Sequence, residues 1–297
     1  MTSTRPTFSG SMVAICTPFR DGAIDWEALA ASIDRQVDAG SAALVPCGST
    51  GEAATLSHDE HTAVVRFTVE RAHGRVPVIA GTGSNSTAEA IRLTKEAKQA
   101  GAAGALLISP YYNRPTQEGL ARHYLAIADA VELPLILYNI PGRTASCIEA
   151  TTVARLAEHP NIVGLKESDT LDHALDVIHL TGDRLEVYSG DDAVTFSILA
   201  LGGAGVISTV ANAVPREMAE LVAVCRCGDW ERGRALQFRL LPFIRACFTE
   251  TNPIPIKHAL SLLGLCRDEL RLPLTPLTDP ARQQALAVAL RGLGHLR

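Results

Sequence analysis

The sequence contains no long hydrophobic run. Its apolar stretches, such as residues 194–201, are interrupted by polar residues or glycines well before the roughly 18–20 residues that a membrane-spanning helix requires. The first six residues, MTSTRP, lack the apolar segment of a signal peptide. The sequence therefore predicts a protein of the cytoplasm that does not associate with membranes.

An excess of positive charge is also missing. The chain has 27 lysines and arginines against 32 aspartates and glutamates, which gives a net charge of −5. No basic run alternates with the aromatic residues, which make up only 5% of the chain. Because nucleic acids and anionic membrane surfaces attract basic proteins, this balance predicts no nucleic-acid partner.

The seven cysteines form neither a disulfide pattern nor a metal-binding pattern. Their number is odd, their spacing is wide, and no C-x-x-C occurs; only Cys225 and Cys227 lie close together. Most of them stand in apolar segments, where a reduced cysteine behaves as a small hydrophobic residue. We expect reduced cysteines, as is usual in the cytoplasm.

Short apolar, β-branched segments recur along the chain. Hydrophobic residues make up 47% of it, enough for a large core and too many for disorder. Eight strand-like segments lie at residues 12–16, 42–47, 76–80, 105–109, 133–139, 162–166, 185–189 and 205–208. Helical patterns stand between them, for example at residues 25–39, 58–72, 87–100 and 117–130. The early repeat of about 30 residues is that of a βαβ unit, and eight such units predict an α/β fold, the TIM (β/α)8 barrel.

Local signals set the limits of these segments. Gly40, Gly74 and Gly101 each follow a helical pattern, where a glycine commonly ends a helix. Ser57 and Glu60 form a capping-box pattern before the second helix. After about residue 212 only helical patterns remain, at residues 216–227, 230–248, 256–263 and 280–290. We predict a catalytic barrel over residues 1–228 and a small C-terminal helical extension over residues 229–297.

Polar and cationic residues collect where the predicted strands end, the rim at which TIM barrels carry their active sites. Lys166 ends the sixth strand. Strand alternation directs it into the barrel together with Ile162 and Gly164, and directs Val163 toward the surrounding helices. A lysine at this place either pairs with an acid such as Glu167 or acts as a nucleophile. Burial favours the neutral amine, which attacks a carbonyl group to form a Schiff base.

Hydroxyl groups follow other strands at the same rim. Ser49 and Thr50 come after the second strand, and three of the five tyrosines (Tyr111, Tyr112 and Tyr138) lie at predicted strand ends. A tyrosine beside a Schiff-base lysine can transfer protons; the alternative for each is a half-buried aromatic residue with a satisfied hydroxyl.

Arg143 lies in a loop after the fifth strand, close to Pro141 and Gly142. Its guanidinium group is suited to hold a substrate carboxylate through two hydrogen bonds. The alternative is a surface arginine beside a turn, and the loop by itself does not decide between the two.

Four motifs at the rim carry a resemblance. They are Gly48-Ser-Thr-Gly-Glu52, Tyr111-Tyr-Asn-Arg-Pro115, Tyr138-Asn-Ile-Pro141 and Gly164-Leu-Lys-Glu167. With them the sequence resembles the dihydrodipicolinate synthase / N-acetylneuraminate lyase family of pyruvate-dependent class I aldolases. The similarity runs nearly end to end, from residue 10 to the Thr251-Asn-Pro-Ile-Pro255 motif and residues 270–273.

The resemblance implies a set of site residues. Lys166 would form an imine with pyruvate, and Tyr138 would be the central acid–base group. Thr50 and Tyr112 would complete a proton relay, with Tyr112 reaching in from a neighbouring subunit. Four residues would bind substrate besides Arg143: Ser49, Thr50, Gly190 and Ile207. The family's usual assembly implies a homotetramer built as a dimer of tight dimers, and imine chemistry on lysine needs neither a metal nor an organic cofactor.

Arg143 separates the branches of the family. The branch that condenses pyruvate with L-aspartate 4-semialdehyde, in lysine and diaminopimelate biosynthesis, uses an arginine here for the semialdehyde carboxylate. Sugar-acid lyases typically lack it. We therefore expect the condensing activity; the alternatives are a sugar-acid aldolase of the N-acetylneuraminate lyase or 2-keto-3-deoxygluconate aldolase type, and a barrel that has lost its chemistry.

The family resemblance also implies a binding site for lysine as a feedback inhibitor. The matching positions are Ala53, Ala54, His58, His61, Asn85, Glu89 and Tyr111. The spacing of the two histidines is not that of H-E-x-x-H, so the start of an exposed helix is at least as good an explanation as a metal site. Gly81-Thr-Gly83 has two of the three Rossmann glycines, which a βα turn of a barrel explains equally well. The sequence has no P-loop, no G-x-S-x-G and no zinc motif.

Overall fold

The computed structural model describes residues 8–297. In this part of the chain the strands are β1 (Gly10–Ala14), β2 (Phe19–Arg20), β3 (Ala23–Ile24), β4 (Ala43–Val45), β5 (Ile79–Gly81), β6 (Gly104–Ile108), β7 (Leu135–Asn139), β8 (Ile162–Glu167), β9 (Glu186–Ser189) and β10 (Gly205–Ser208). Each of the eight predicted segments overlaps one of these strands. The short pair β2 and β3 has no counterpart in the prediction.

Eight of these strands form one parallel sheet that closes into a barrel. Their order is β4-β1-β10-β9-β8-β7-β6-β5. The two end strands meet through a parallel bridge between Leu44 and Val78, and the amide of Gly81 donates a 2.9 Å hydrogen bond to the carbonyl of Pro46. The predicted (β/α)8 barrel is therefore confirmed. β2 and β3 form a separate hairpin whose turn, Asp21-Gly22, has positive φ at both residues, as expected for a D-G turn.

The helices are α1 (Trp26–Asp38), α2 (His58–Ala72), α3 (Thr87–Gln99), α4 (Gln117–Ala130), α5 (Pro141–Thr144), α6 (Ala150–Leu156), α7 (Leu171–Thr181), α8 (Thr195–Ala200), α9 (Pro215–Arg226), α10 (Trp230–Cys247), α11 (Ile254–Leu262) and α12 (Pro280–Leu293). The predicted capping box of α2 is formed, because Ser57 accepts from the amide of Glu60 and Glu60 accepts from the amide of Ser57. Gly40 and Gly101 follow α1 and α3 with φ of 87° and 90°, a region that favours glycine.

Hydrophobic side chains fill both sides of the barrel wall. Met12, Ile79 and Tyr188 are completely buried in the inner cluster. Leu165 and Tyr124 are equally buried in a cluster between the strands and the outer helices. Parallel strands covered on both faces are expected to be apolar throughout, and this is why the strand-like segments read as continuous apolar runs.

Strand β8 departs from regular alternation. Between two successive pairs with β7 it contains one extra residue, Val163, which makes a β-bulge. Alternation before the bulge is therefore inverted: Ile162 packs against the outer helices and Val163 packs inside the barrel, the reverse of the prediction. After the bulge, Lys166 is directed into the barrel as predicted.

The C-terminal helical extension is present and packs on the barrel. Phe243 of α10 and Leu290 of α12 belong to the same buried cluster as Val13 of β1. The segment between α10 and α11 brings Phe248 and Asn252 to the cavity at the carboxyl ends of the strands. Within residues 8–297, no helix combines the length and the apolar character that crossing a membrane demands.

Candidate active site

A cavity of about 460 Å³ lies at the carboxyl ends of the barrel strands. Six of the eight residues predicted for catalysis and substrate binding line it: Ser49, Thr50, Tyr138, Arg143, Lys166 and Gly190. They follow or end β4, β7, β8 and β9, far apart in the sequence. They meet because all parallel strands of a closed barrel end at one rim.

Lys166 is buried beside Tyr138. The two residues are direct partners in the pairing of β8 with β7, and the Lys166 side chain lies with its Nζ 4.2 Å from the centroid of the Tyr138 ring. Only 5% of Lys166 is exposed. Among residues 8–297, no carboxylate oxygen lies within 4.0 Å of its Nζ; Glu167 points to the other side of the strand and pairs with His173. The ion-pair alternative is therefore not formed, and the amine is available to a ligand.

Gly190 makes room for the lysine. A Cβ atom at this position would lie 3.0 Å from Cε of Lys166 and 1.9 Å from Oγ of Ser168. Both distances are too short for ordinary contact, so any larger residue would displace Lys166 or Ser168. The backbone just after β9 thus forms the wall on which the lysine stem rests.

Thr50 is held by hydrogen bonds from the C-terminal region. The side-chain amide of Asn252 donates to Oγ1 of Thr50 at 2.9 Å, and the hydroxyls of Thr50 and Thr209 are 3.4 Å apart. Thr209 in turn is fixed by buried Asp192, whose Oδ2 accepts from the amides of Thr209 and Val210. Burial raises the pKa of Asp192 to about 6, although these hydrogen bonds oppose the rise.

The loop that carries Ser49 and Thr50 is held in an unusual backbone conformation. Cys47 and Glu52 both have positive φ, 57° and 53°, which is uncommon for residues other than glycine. Glu52 is fixed there by an ion pair with Lys257 of α11, and both side chains are almost completely buried.

Arg143 lies in the short helix α5 and is exposed at the cavity. Its Nη2 donates a 2.9 Å hydrogen bond to the carbonyl of Asn252, which leaves the other guanidinium N–H groups without a partner in residues 8–297. This arrangement orients the guanidinium fork while it keeps donors available for a carboxylate.

Of the twelve cavity-wall residues outside the predicted site, five follow β10 in the sequence. They are Thr209, Ile244, Arg245, Phe248 and Asn252. The Thr251-Asn-Pro-Ile-Pro255 motif was the available signal for Asn252, since it carried part of the resemblance. Its place at the site depends on the path of α10 back to the barrel mouth, which no local pattern shows.

Two predicted residues are absent from the cavity wall. Ile207 is completely buried in the inner barrel cluster. Tyr112 is 91% exposed, in a backbone conformation with φ of 72°. Tyr112 thus lies outside the cavity of its own chain, where another chain could contact it.

The residues predicted to bind lysine lie in and around the starts of α2 and α3, outside the cavity wall. His61 is buried and its ring donates to the carbonyl of Gly81 at 2.8 Å, and burial lowers its pKa. His58 contacts Glu89, and the side chain of Asn85 donates to the carbonyl of Tyr111 at 3.2 Å. Ala53 and Ala54 form a short 3-10 turn after the Glu52 loop. Within residues 8–297, no group of three or more His, Cys, Asp or Glu side chains could hold a metal ion.

The fold and the site together define a class of protein. A lysine buried at the carboxyl end of a barrel strand, next to a tyrosine and unpaired with an acid, is arranged as a carbonyl-attacking nucleophile with a nearby proton donor. The chain is a (β/α)8-barrel enzyme of the Schiff-base aldolase type.

Comparison with known proteins places the chain within this class. Residues 7–291 match the model of the dihydrodipicolinate synthetase family, and the chain belongs to that family. It is 54% identical to the 4-hydroxy-tetrahydrodipicolinate synthase of Pelobacter propionicus over 282 residues, 95% of this chain and 97% of that protein.

Two solved structures show the same fold. The chloride-inhibited dihydrodipicolinate synthase from Acinetobacter baumannii, complexed with pyruvate, has a TM-score of 0.96 and 46% identity, covering 98% of this chain and 100% of that one. The enzyme from Cyanidioschyzon merolae with lysine bound has a TM-score of 0.94 and 39% identity, covering 97% and 99%.

Proposed function

We propose that the chain catalyses the reaction of a 4-hydroxy-tetrahydrodipicolinate synthase, the condensation of pyruvate with L-aspartate 4-semialdehyde. The observation that carries this proposal is the buried, unpaired Lys166 beside Tyr138, in a chain that is 54% identical to such a synthase over nearly its full length. The similar proteins bear the synthase name, which favours this reaction over that of a sugar-acid aldolase.

The first half of the reaction uses Lys166 and its neighbours. Nζ of Lys166 attacks the keto carbon of pyruvate; the resulting carbinolamine loses water as Tyr138 supplies a proton to the departing hydroxyl, and an imine remains. Thr50, held by Asn252, relays protons to Tyr138. The backbone of Ser49 and Thr50 receives the pyruvate carboxylate, and Gly190 supplies backbone to the same pocket. Ile207 packs in the inner barrel cluster and is not part of this wall.

The second half of the reaction needs the semialdehyde to be oriented. Removal of a methyl proton converts the imine to an enamine, whose carbon attacks the aldehyde carbon to form the new carbon–carbon bond while the aldehyde oxygen takes up a proton. The amino group of the semialdehyde then attacks the re-formed imine carbon and displaces Nζ of Lys166, which closes the ring and regenerates the free lysine. Arg143 holds the carboxylate of the semialdehyde with the N–H groups that Asn252 leaves available. Every atom of both steps comes from the two substrates, water and protein side chains, so the scheme requires no metal or organic cofactor.

The same proposal extends to assembly, regulation and location. Tyr112 joins the relay of a neighbouring subunit, which its 91% exposure permits, and the chain forms a homotetramer of tight dimers. Lysine inhibits through the group of residues around His58, Glu89 and Tyr111. The barrel of residues 1–228 carries the catalytic lysine, with residues 229–297 as its helical extension. All seven cysteines are free, which suits a cytoplasmic enzyme.

Trapping with borohydride tests the central step. The protein is incubated with pyruvate and sodium borohydride and analysed by peptide mass spectrometry. The reduced pyruvate adduct is expected on Lys166, is expected to disappear in Lys166→Ala, and is expected to persist in Lys95→Ala, which replaces an exposed lysine of α3. An adduct on another lysine, or none at all, would refute the proposal.

A coupled assay tests the choice of substrate. The product formed from pyruvate and aspartate semialdehyde is followed by its reductase through oxidation of NADPH, with and without added lysine. The competing reactions are cleavage of N-acetylneuraminate and of 2-keto-3-deoxygluconate. Faster cleavage of either sugar acid than condensation would favour the alternative function.

A further inference from the structure

A polar cluster lies on the outer side of the strands that carry the catalytic pair, and the proposed reaction does not use it. Its members are Asn139, Cys147, Glu167, Asp169 and His173. The Lys166–Tyr138 pair faces the cavity, and the next pair in the register, Asn139–Glu167, faces the opposite way. Any displacement of the outer pair is therefore transmitted to the inner pair through one peptide unit on each strand.

The carboxylate of Glu167 is buried and has several donors. Only 2% of its side chain is exposed. It accepts from the side-chain amide of Asn139 at 3.0 Å, from the backbone amide of Asp169 at 2.8 Å and from Nδ1 of His173 at 2.7 Å. Buried carboxylates are stable only when they are paired in this way, so the cluster fixes where the end of β8 lies.

Both nitrogens of the His173 ring face hydrogen-bond acceptors. Its Nε2 lies 3.0 Å from the carbonyl of Ile148, which can only accept a hydrogen bond, while its Nδ1 faces the Glu167 carboxylate. The groups around the ring are Glu167 and Cys147, with Asp169 near the Cys147 thiol. Contacts with Cys147 and, next, with Glu167 raise the pKa of His173 to about 10 against the opposing effect of burial.

The cluster also holds the segment that carries Arg143. The amide of Ile148 donates to Oδ1 of Asn139 at 3.0 Å, and the carbonyl of Ile148 accepts from His173. The chain between Asn139 and Ile148, which includes α5, therefore begins and ends at the same cluster.

We propose that His173 is a positioning residue for Lys166 and Tyr138. As an imidazolium it ties Glu167 at the end of β8 to Ile148, and so keeps the lysine amine over the tyrosine ring while the imine forms. This inference rests on the proposed function. We expect imine formation to slow when the His173 ring no longer donates hydrogen bonds to both Glu167 and Ile148. Pyruvate binding should change little, because His173 does not line the cavity.

Substitution tests the proposal with a matched control on the same helix. His173→Gln keeps one donor group but no charge, and Glu167→Gln removes the negative charge and replaces one acceptor oxygen by an NH2 donor. His179→Gln changes an exposed histidine of α7. We expect kcat and the rate of borohydride trapping to fall by up to about 100-fold in the first two, the effect of roughly an ångström of misplacement, with KM for pyruvate within about threefold. The double variant should be no slower than the slower single variant, because both changes disable one network. His173→Arg, which restores a cationic double donor, should regain part of the rate.

The outcomes separate this inference from the proposed function. Absence of trapping in the unsubstituted protein refutes the proposed function, whereas normal trapping and normal kcat in folded His173→Gln refute the positioning role alone. A measurement without substitution decides if the variants fail to fold. Nitrogen NMR of the histidine rings should show both nitrogens of His173 protonated at pH 8, and a neutral ring at that pH would overturn the proposal.

Discussion

Replacement of Lys257 by methionine tests how the active-site loop is held. The lysine is completely buried: its Nζ pairs with Glu52, donates to the carbonyl of Glu269 at 2.9 Å and lies 4.1 Å from the centroid of the Phe19 ring. Methionine has a similar length and no charge, so it fills much of the space while it removes the cation. Glu52 then retains one acceptor contact, from the amide of Arg271 at 3.1 Å.

The expected loss of stability is large because a buried charge is left without its partner. Removal of one member of a buried ion pair costs about 3–5 kcal/mol, a considerable part of the roughly 5–15 kcal/mol by which proteins are stable. Replacement of both members by uncharged residues is often close to neutral. The double variant Lys257→Met/Glu52→Gln should therefore be more stable than Lys257→Met alone.

Urea unfolding of the unsubstituted protein, Lys257→Met, Glu52→Gln and the double variant measures the effect. Lys95→Met is the control for an exposed lysine. The control should change the free energy of unfolding by no more than about 0.5 kcal/mol. Turnover by Lys257→Met should fall as well, because Glu52 ends the loop that bears Ser49 and Thr50. A loss below about 1 kcal/mol, or losses that simply add in the double variant, would show that the pair is not the anchor described above.

Three further changes have expected outcomes. Tyr138→Phe should slow turnover about 10²–10⁴-fold, as measured by the coupled assay, because one acid–base group is lost; an unchanged rate would assign the proton transfer elsewhere. Arg143→Ala should raise KM for aspartate semialdehyde while borohydride still traps pyruvate on Lys166; normal semialdehyde kinetics would remove Arg143 from the site. The raised pKa of Asp192, about 6 against an ordinary 3.8, means that its contribution to stability is complete below about pH 4 and is lost as the pH rises through 6. The melting temperature of Asp192→Asn should therefore rise relative to that of the parent protein as the pH goes from 4 to 7. A difference in melting temperature that does not change with pH would contradict the burial of a charge at Asp192.

Features that depend on neighbouring residues were predictable from the sequence. The strand count follows from short apolar runs that stay apolar because both faces are covered, and α2 begins where the Ser57–Glu60 capping box places it. Simple alternation along β8 predicts the direction of Lys166 correctly and that of Ile162 wrongly. Alternation was counted from Ile162, and the bulge at Val163 reverses that residue without changing the end of the strand.

Contacts between distant residues were not predictable in this way. The pairing of Glu52 with Lys257 joins a strand-end loop to a helix 205 positions later, and both side chains read in the sequence as ordinary surface charges. The bonds of Asn252 to Thr50 and Arg143 span 202 and 109 positions of the sequence. No periodicity or local motif encodes them, because they exist only once α10 has returned to the mouth of the barrel.

These contacts give the C-terminal region a direct part in the site. Asn252 orients the hydroxyl of Thr50 through its side chain and the guanidinium group of Arg143 through its carbonyl. Lys257, five residues later, holds Glu52 at the end of the loop that carries Thr50. Residues 252–257 thus contact two of the segments that carry the proposed substrate-binding groups, the loop of Ser49 and Thr50 and the helix of Arg143. The barrel strands supply the lysine and the tyrosine, but without this segment Glu52 would be a carboxylate without its partner and Thr50 would lose its only side-chain amide donor within residues 8–297. The helical extension is therefore better understood as the support of the active-site rim than as an appendage to it.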